Sequence, residues 1–132
     1  MTGISRRLAE FAVNLGYEDL PAEVIERTKL LILDTVGIMV RARNDAESTP
    51  AMVRALEYLG LASGDCAVPG DAKTYAPSAA ALLNGTLAHS LDFDDTHAEA
   101  SLHSSAPIVP AALAAAEMTG ASGKDLIAAC IA

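Results

Sequence analysis

All three histidines of this 132-residue chain lie in one short stretch, together with four carboxylates. The clustered residues are His89, Asp92, Asp94, Asp95, His97, Glu99 and His103. From position 74 to position 123 the sequence contains neither lysine nor arginine. The carboxylates therefore repel one another, and the imidazoles are the groups in this run that can offset their charge. Because imidazole titrates near neutral pH, the cluster is a candidate for acid–base chemistry.

The residue pattern alone leaves three interpretations of this cluster open. The first is a solvated acidic loop, and the second is metal-free general acid–base catalysis. The third is a metal site with nitrogen and oxygen ligands from His89 and Asp92. Its further ligand would be Asp95, His97 or His103, although this spacing matches no compact metal-binding signature.

Helical spacing suggests how one imidazole and one carboxylate would meet. His89 and Asp92 are three residues apart, so they share a face if the preceding helix extends to residue 92. A carboxylate beside an imidazole fixes its tautomer and increases its basicity. Carboxylates at the C-terminal end of a helix are otherwise unfavourable because the helix dipole is negative there. A locally unfavourable arrangement of this kind is typical of a functional site.

The elements that must position the cluster are predicted to be helices. Apolar residues recur at helical spacing, with Pro21 and Pro50 in first turns and Gly16, Gly60 and Gly120 after last turns. The predicted helices cover residues 4–15, 21–43, 48–59, 77–91, 107–118 and 122 or 123 onward. Residues 65–76 are expected to form an irregular loop or one short hairpin. The fold class expected is therefore all-α, a helical bundle.

Two apolar segments indicate that residues 1–132 form a single but incomplete domain. Residues 30–40 are apolar nearly all round, which predicts a helix buried on every side. Residues 126–132 are apolar and include neither a polar cap nor a glycine, unlike an ordinary helix end. We expect a portion of a larger helical protein. The alternative is a short protein whose terminal helix is buried by a partner subunit.

Charge and composition exclude several classes of partner. The chain has 9 Lys and Arg against 17 Asp and Glu, a net charge of −8. This balance argues against nucleic acid and against an anionic membrane surface as partners. The most apolar stretch is about half as long as a membrane span requires. Two cysteines far apart in the sequence fit a reducing compartment, so we expect a cytoplasmic protein.

At these residues the sequence resembles a known family. The run Asn84-Gly-x-x-x-His89-x-x-Asp92-x-Asp94-Asp95-Thr96, followed by His103-x-Ser105-Ala106-Pro107 and an alanine-rich helix, is similar to the MmgE/PrpD family. The opening helix, residues 33–37 and residues 120–126 also look like the N-terminal region of that family. The resemblance thus covers nearly the whole chain.

The resemblance implies both an architecture and a class of reaction. It implies a mostly helical main domain, a second, smaller α+β domain and a homodimer. It also implies no metal, nucleotide or iron–sulfur cofactor. The family includes 2-methylcitrate dehydratase, cis-aconitate decarboxylase and iminodisuccinate epimerase. Its members act on small di- and tricarboxylates and break bonds next to a carboxylate.

The resemblance also assigns roles by position. The residues at catalytic positions are Asp92, Thr96 and His103. The residues assigned to substrate binding are His89 and Asn84. The residues assigned to structural support of the site are Asp94 and Asp95. Which group is the acid and which the base stays open.

Two departures from the family pattern affect what the resemblance implies for this chain. Family members are considerably longer, and their further catalytic Lys, His and Tyr residues lie beyond the part matched here. Ser104 also stands where the family usually has proline, so the loop around His103 is expected to be freer. We therefore expect this chain alone to be inactive. The alternatives are a non-catalytic helical assembly module and a metal-dependent hydrolase.

Overall fold

The computed structural model describes residues 3–132, and this part of the chain is mainly helical. The elements are α1 (Ile4–Asn14), a 3-10 turn (Tyr17–Asp19), α2 (Ala22–Asp45), α3 (Thr49–Tyr58), β1 (Cys66–Ala67), β2 (Thr74–Tyr75), α4 (Pro77–His89), α5 (Ser105–Thr119) and α6 (Gly123–Ile131). The expected all-α fold class is confirmed, and the segment near 65–76 does contain a short hairpin.

Helix α4 lies at the centre of the fold and packs most extensively against α5. Its buried face is built from small and aliphatic side chains, among them Ala80, Leu83 and Leu87. At Gly85 the two helices come close: a Cβ atom there would lie 3.4 Å from the carbonyl oxygen of Ala106. Small residues permit this approach, so the C-terminal end of α4 lies beside the N-terminal end of α5.

The hairpin is held against α2 by a buried carboxylate. Its strands are antiparallel, with Cys66 opposite Tyr75. Asp71 accepts hydrogen bonds from Arg43 Nε of α2 and from the Tyr75 hydroxyl, each at 2.9 Å. Burial, together with that hydrogen bond, raises the pKa of Tyr75 to about 12. The phenol therefore stays protonated and keeps donating at any ordinary pH.

The prediction that residues 30–40 are buried on every side is wrong for this chain. Thr35 and Met39 of α2 are buried, but the side of the helix that carries Leu30 and Leu33 faces solvent, at 58% and 69% exposure. Helices α3, α4, α5 and α6 all contact α2 and leave this side uncovered. Apolar composition alone does not show whether the described elements can surround a helix.

Helix boundaries around the histidine cluster also differ from the sequence predictions. Helix α4 runs without interruption through Asn84 and Gly85 but stops at His89, before the predicted end. Helix α5 begins earlier than predicted, at Ser105, and accommodates Pro110 within it. Helix α6 begins at Gly123, within the predicted start, and Ser122 and Asp125 form a capping box there.

None of the helices within residues 3–132 has both the length and the apolar character that crossing a membrane requires.

Two glycine substitutions should have opposite effects on stability. A Cβ atom at Gly64 would lie 2.6 Å from the backbone nitrogen of Ala76, so Gly64→Ala forces the chain ahead of β1 away from the end of β2. We expect a loss of about 1–3 kcal/mol. The matched variant Gly37→Ala meets nothing within 4 Å and lies in the interior of α2, so it should stabilise by about 0.5–1 kcal/mol.

Urea unfolding of the purified chain, followed by circular dichroism, measures both changes. Equal stability of the two variants would contradict the close approach of residue 64 to β2.

Candidate active site

The cluster is organised around a carboxylate that has no access to solvent. The Asp94 side chain is 0% exposed. His89, the last residue of α4, places its Nδ1 atom 3.1 and 3.0 Å from the two carboxylate oxygens of Asp94. The His89 side chain is 55% exposed, so its ring connects the buried carboxylate to the surface.

A second imidazole, at the other end of the loop, approaches the same carboxylate. His103 lies just before α5, and its Nδ1 atom is 3.3 Å from Asp94 Oδ2. That contact lacks the angle of a hydrogen bond, and the Nδ1 atom is buried without a partner among the described residues. The rings of His89 and His103 are edge to face, with centroids 4.9 Å apart.

Asp92 lies close to these residues through a backbone conformation that the sequence did not predict. Helix α4 ends before it, and Asp92 has a left-handed backbone with φ 55°, so the predicted helical pairing of His89 with Asp92 does not form. Asp94, rather than Asp92, is the carboxylate that pairs with His89. One ligand atom from each of His89, Asp92, Asp94 and His103 nevertheless lies within 4.8 Å of the others. These four residues could hold a divalent cation if they moved closer together.

Asp95 serves a different purpose from its neighbour. Its carboxylate accepts a hydrogen bond from Ser104 Oγ at 2.8 Å and from the Ser105 backbone N–H at 3.0 Å, at the N-terminus of α5. Burial acts to raise the pKa of Asp95, but the hydrogen bonds from Ser105 and Ser104 outweigh it and hold the pKa below its ordinary value. The Ser104 hydroxyl group thereby anchors the loop next to His103.

An open groove of about 660 Å³ lies beside the two imidazoles. Its walls are the exposed side of α4 and the first turn of α5, and its lining includes Leu82, Thr86, His89, His103 and Pro107. At one end Ser48 Oγ, from the start of α3, lies 3.1 Å from Ser90 Oγ. A small molecule in this groove would meet both rings.

The remaining residues of the motif lie apart from this groove. Asn84 was assigned to substrate binding, but it is 2% exposed and donates to the Ala67 carbonyl oxygen at 3.0 Å, which ties α4 to β1. Thr96 is exposed and is not part of the groove lining. His97 is also exposed, and its Nδ1 atom accepts a hydrogen bond from the Ala100 N–H at 3.2 Å.

One charged residue near the site was missed by sequence reasoning. Arg27 of α2 lines a second groove of about 410 Å³ together with Asp34 and Asp95. A cation thus lies close to the acidic loop in space, although it is far away in the sequence. Spacing along the chain could not reveal it, because this proximity depends on how α2 packs.

The chain matches the family model of the MmgE/PrpD N-terminal domain over residues 6–132. The chain belongs to the MmgE/PrpD family. Among curated proteins it is similar to cis-aconitate decarboxylase of Aspergillus terreus, at 32% identity over 125 residues. It is also similar to the cis-aconitate decarboxylase-like protein oryM of Aspergillus oryzae, at 34% identity over 115 residues.

These alignments include most of this MmgE/PrpD chain, 95% and 87% respectively. They include 25% and 23% of the relatives, so the chain spans about a quarter of the length of the curated proteins it matches. The motif residues in the described structure therefore belong to the N-terminal domain of the family.

The hydrogen bonds to Asp95 should make stability depend on pH. A carboxyl whose pKa is lower when folded contributes stability above its unfolded pKa, about 3.9, and loses it as pH falls through the folded value. We expect Asp95→Asn to be less stable than the wild type at pH 7 by about 1–2 kcal/mol. The difference should shrink from about pH 4 downward.

Urea unfolding between pH 7 and pH 3 measures this difference. The matched control is Asp65→Asn, which removes an exposed carboxylate ahead of β1 and should not reproduce the pH-dependent gap. A gap for Asp95→Asn that stays constant down to pH 3 would contradict the role of its charge.

Proposed function

We propose that this domain carries the acid–base part of the active site of a lyase that acts on small di- or tricarboxylates. The bond that breaks would lie next to a carboxylate of the substrate. Proton transfer would be performed by the side chains of the domain, with no cofactor. Dehydration and epimerisation are the other reactions compatible with the same groups.

The observation that carries this proposal is the convergence of His89, His103 and Asp92 beside an open groove. Two imidazoles whose ring centroids lie 4.9 Å apart can act as an acid–base pair, in which one accepts a proton while the other donates one. A solvated acidic loop would have no reason to bury Asp94 completely between them.

The chemistry of such substrates needs a group that exchanges protons near neutral pH. In a decarboxylation the carbon–carbon bond to the leaving carboxylate breaks, and carbon dioxide departs. The electron pair stays on the remaining substrate carbon framework, which then takes a proton from an acid. In a dehydration a base removes the proton next to a carboxylate, and an acid protonates the leaving hydroxyl. His103 is our candidate for the proton transfer in either case.

The relatives favour decarboxylation among these reactions. Both curated proteins carry the name cis-aconitate decarboxylase or a name formed from it. We extend that activity to this domain as a proposal, with cis-aconitate as the first substrate to test.

The charge of the domain limits what it can do by itself. A tricarboxylate is highly anionic. The stretch of sequence that carries the cluster, residues 74–123, contains no lysine or arginine. Arg27 lines the second groove, which it shares with Asp95, and not the groove with the imidazoles. We propose that the cations that hold substrate come from a further part of the polypeptide or from a second subunit.

A second candidate function, assembly through apolar helices, is favoured by one observation. Helix α1 has no buried residue, although Leu8 and Phe11 lie on one face of it and are more than half exposed. Together with Leu30 and Leu33 of α2, these side chains offer apolar surface to a partner. We propose a homodimer, which is compatible with catalysis.

His103 should be essential for turnover. In the active enzyme that contains this domain, His103→Ala should lower kcat for cis-aconitate at least about 100-fold, because it removes the proton-transfer group. The matched control is His97→Ala, which removes an exposed imidazole outside the groove and should leave kcat unchanged. Unaltered turnover in His103→Ala, with folding confirmed by circular dichroism, would remove His103 from the mechanism.

The 132-residue chain alone should be inactive because its groove lacks cations. Proton NMR of cis-aconitate incubated with the purified chain should show no product, while the Aspergillus terreus relative provides the positive control. Light scattering of the same sample measures assembly. Turnover at an ordinary enzyme rate by the chain alone would contradict the need for outside cations. A stable, monodisperse and inactive oligomer would favour the assembly function.

A further inference from the structure

We infer that Asp94 is the positioning residue of this site and accepts the Nδ1 protons of both His89 and His103. Each neutral ring would then keep its Nε2 atom unprotonated and free to act as a base in the groove. The catalytic meaning of this arrangement rests on the proposed function, but the arrangement itself does not.

The contacts of Asp94 with His89 support the first half of this inference. The Nδ1 atom of His89 is nearly equidistant from the two carboxylate oxygens, at 3.1 and 3.0 Å. A carboxylate can only accept at these distances, so Nδ1 must be the protonated nitrogen of the ring. Because the Asp94 side chain is fully buried, water does not compete for this hydrogen bond.

The buried nitrogen of His103 supports the second half. Within residues 3–132 its Nδ1 atom is one of two buried side-chain polar atoms without a hydrogen-bond partner. A buried polar atom without a partner is unfavourable, and Asp94 Oδ2 lies only 3.3 Å away. A carboxylate oxygen has two acceptor sites, so Oδ2 can serve both rings. A small rotation of the His103 ring completes the bond.

The geometry explains why the shared acceptor matters for chemistry. Both rings line the groove, whereas Asp94 lies behind them and is not part of the lining. With Nδ1 directed at Asp94, Nε2 is the nitrogen left to meet a substrate proton. A carboxylate behind the ring also stabilises the imidazolium that forms when Nε2 takes that proton.

The third histidine, His97, provides an internal reference with the opposite tautomer. The Nδ1 atom of His97 accepts the Ala100 N–H at 3.2 Å, so its proton must lie on Nε2 when the ring is neutral. The chain contains three histidines in all. One spectrum can therefore compare all three tautomers in the same sample.

The test is a long-range proton–nitrogen correlation NMR spectrum of the ¹⁵N-labelled chain at pH 8.5. Signals are assigned with single His→Gln variants. We expect the Nδ1–H tautomer for His89 and His103 and the Nε2–H tautomer for His97. Any other tautomer as the main form of His89 or His103 overturns the inference.

Two isosteric variants separate the hydrogen bond from the local charge. Asp94→Asn should shift both His89 and His103 towards the Nε2–H form, which predominates for the neutral histidine side chain in water, and leave His97 unchanged. Asp92→Asn removes a neighbouring charge but should leave all three tautomers as they are. A shift with Asp92→Asn, or none with a folded Asp94→Asn, overturns the inference.

The wild-type spectrum still decides the inference if Asp94→Asn does not fold. An absence of lyase activity in any form of the protein would refute the proposed function without changing these tautomers. The two failures are therefore distinguishable.

Discussion

The arrangement of this domain depends on a single carboxylate buried between two imidazoles. Burying an aspartate is strongly unfavourable unless donors replace its water, and here the donors come from histidine rather than from lysine or arginine. His89 ends one helix and His103 precedes the next. The Asp94 carboxylate therefore links the end of α4 to the start of α5. The loop between the two helices must place the carboxylate between the two rings. This requirement gives the acidic loop a defined conformation.

The helices were readable from the sequence because the signals that define them are local. Apolar periodicity located all six helical segments. Burial was not readable in the same way. Residues 30–40 look like an interior helix, yet Leu33 is 69% exposed because the described elements pack on one side of α2. Burial depends on which other segments are present.

The cluster was predicted, but the pairing within it was not. The concentration of histidines and carboxylates without cations is visible in the sequence. Whether His89 meets Asp92 or Asp94 is decided by the residue at which α4 ends, and the left-handed backbone of Asp92 redirects the chain there. The role of Asn84 was equally hidden, because motif membership does not show that its amide group faces the hairpin. The anchoring of Ser104 by Asp95 depends on residues nine positions apart meeting in an irregular loop.

The close approach of α4 and α5 at Gly85 has a consequence for how this site can change over evolution. Gly85 lies one helical turn before His89, and the carbonyl group it faces belongs to Ala106, three residues after His103. The spacing of the two rings is therefore adjustable from a position that touches no reactant. A bulkier side chain at residue 85 would separate the two helices and widen the gap between acid and base. Selection for a new reaction could act on this spacing while the chemical groups themselves stayed the same.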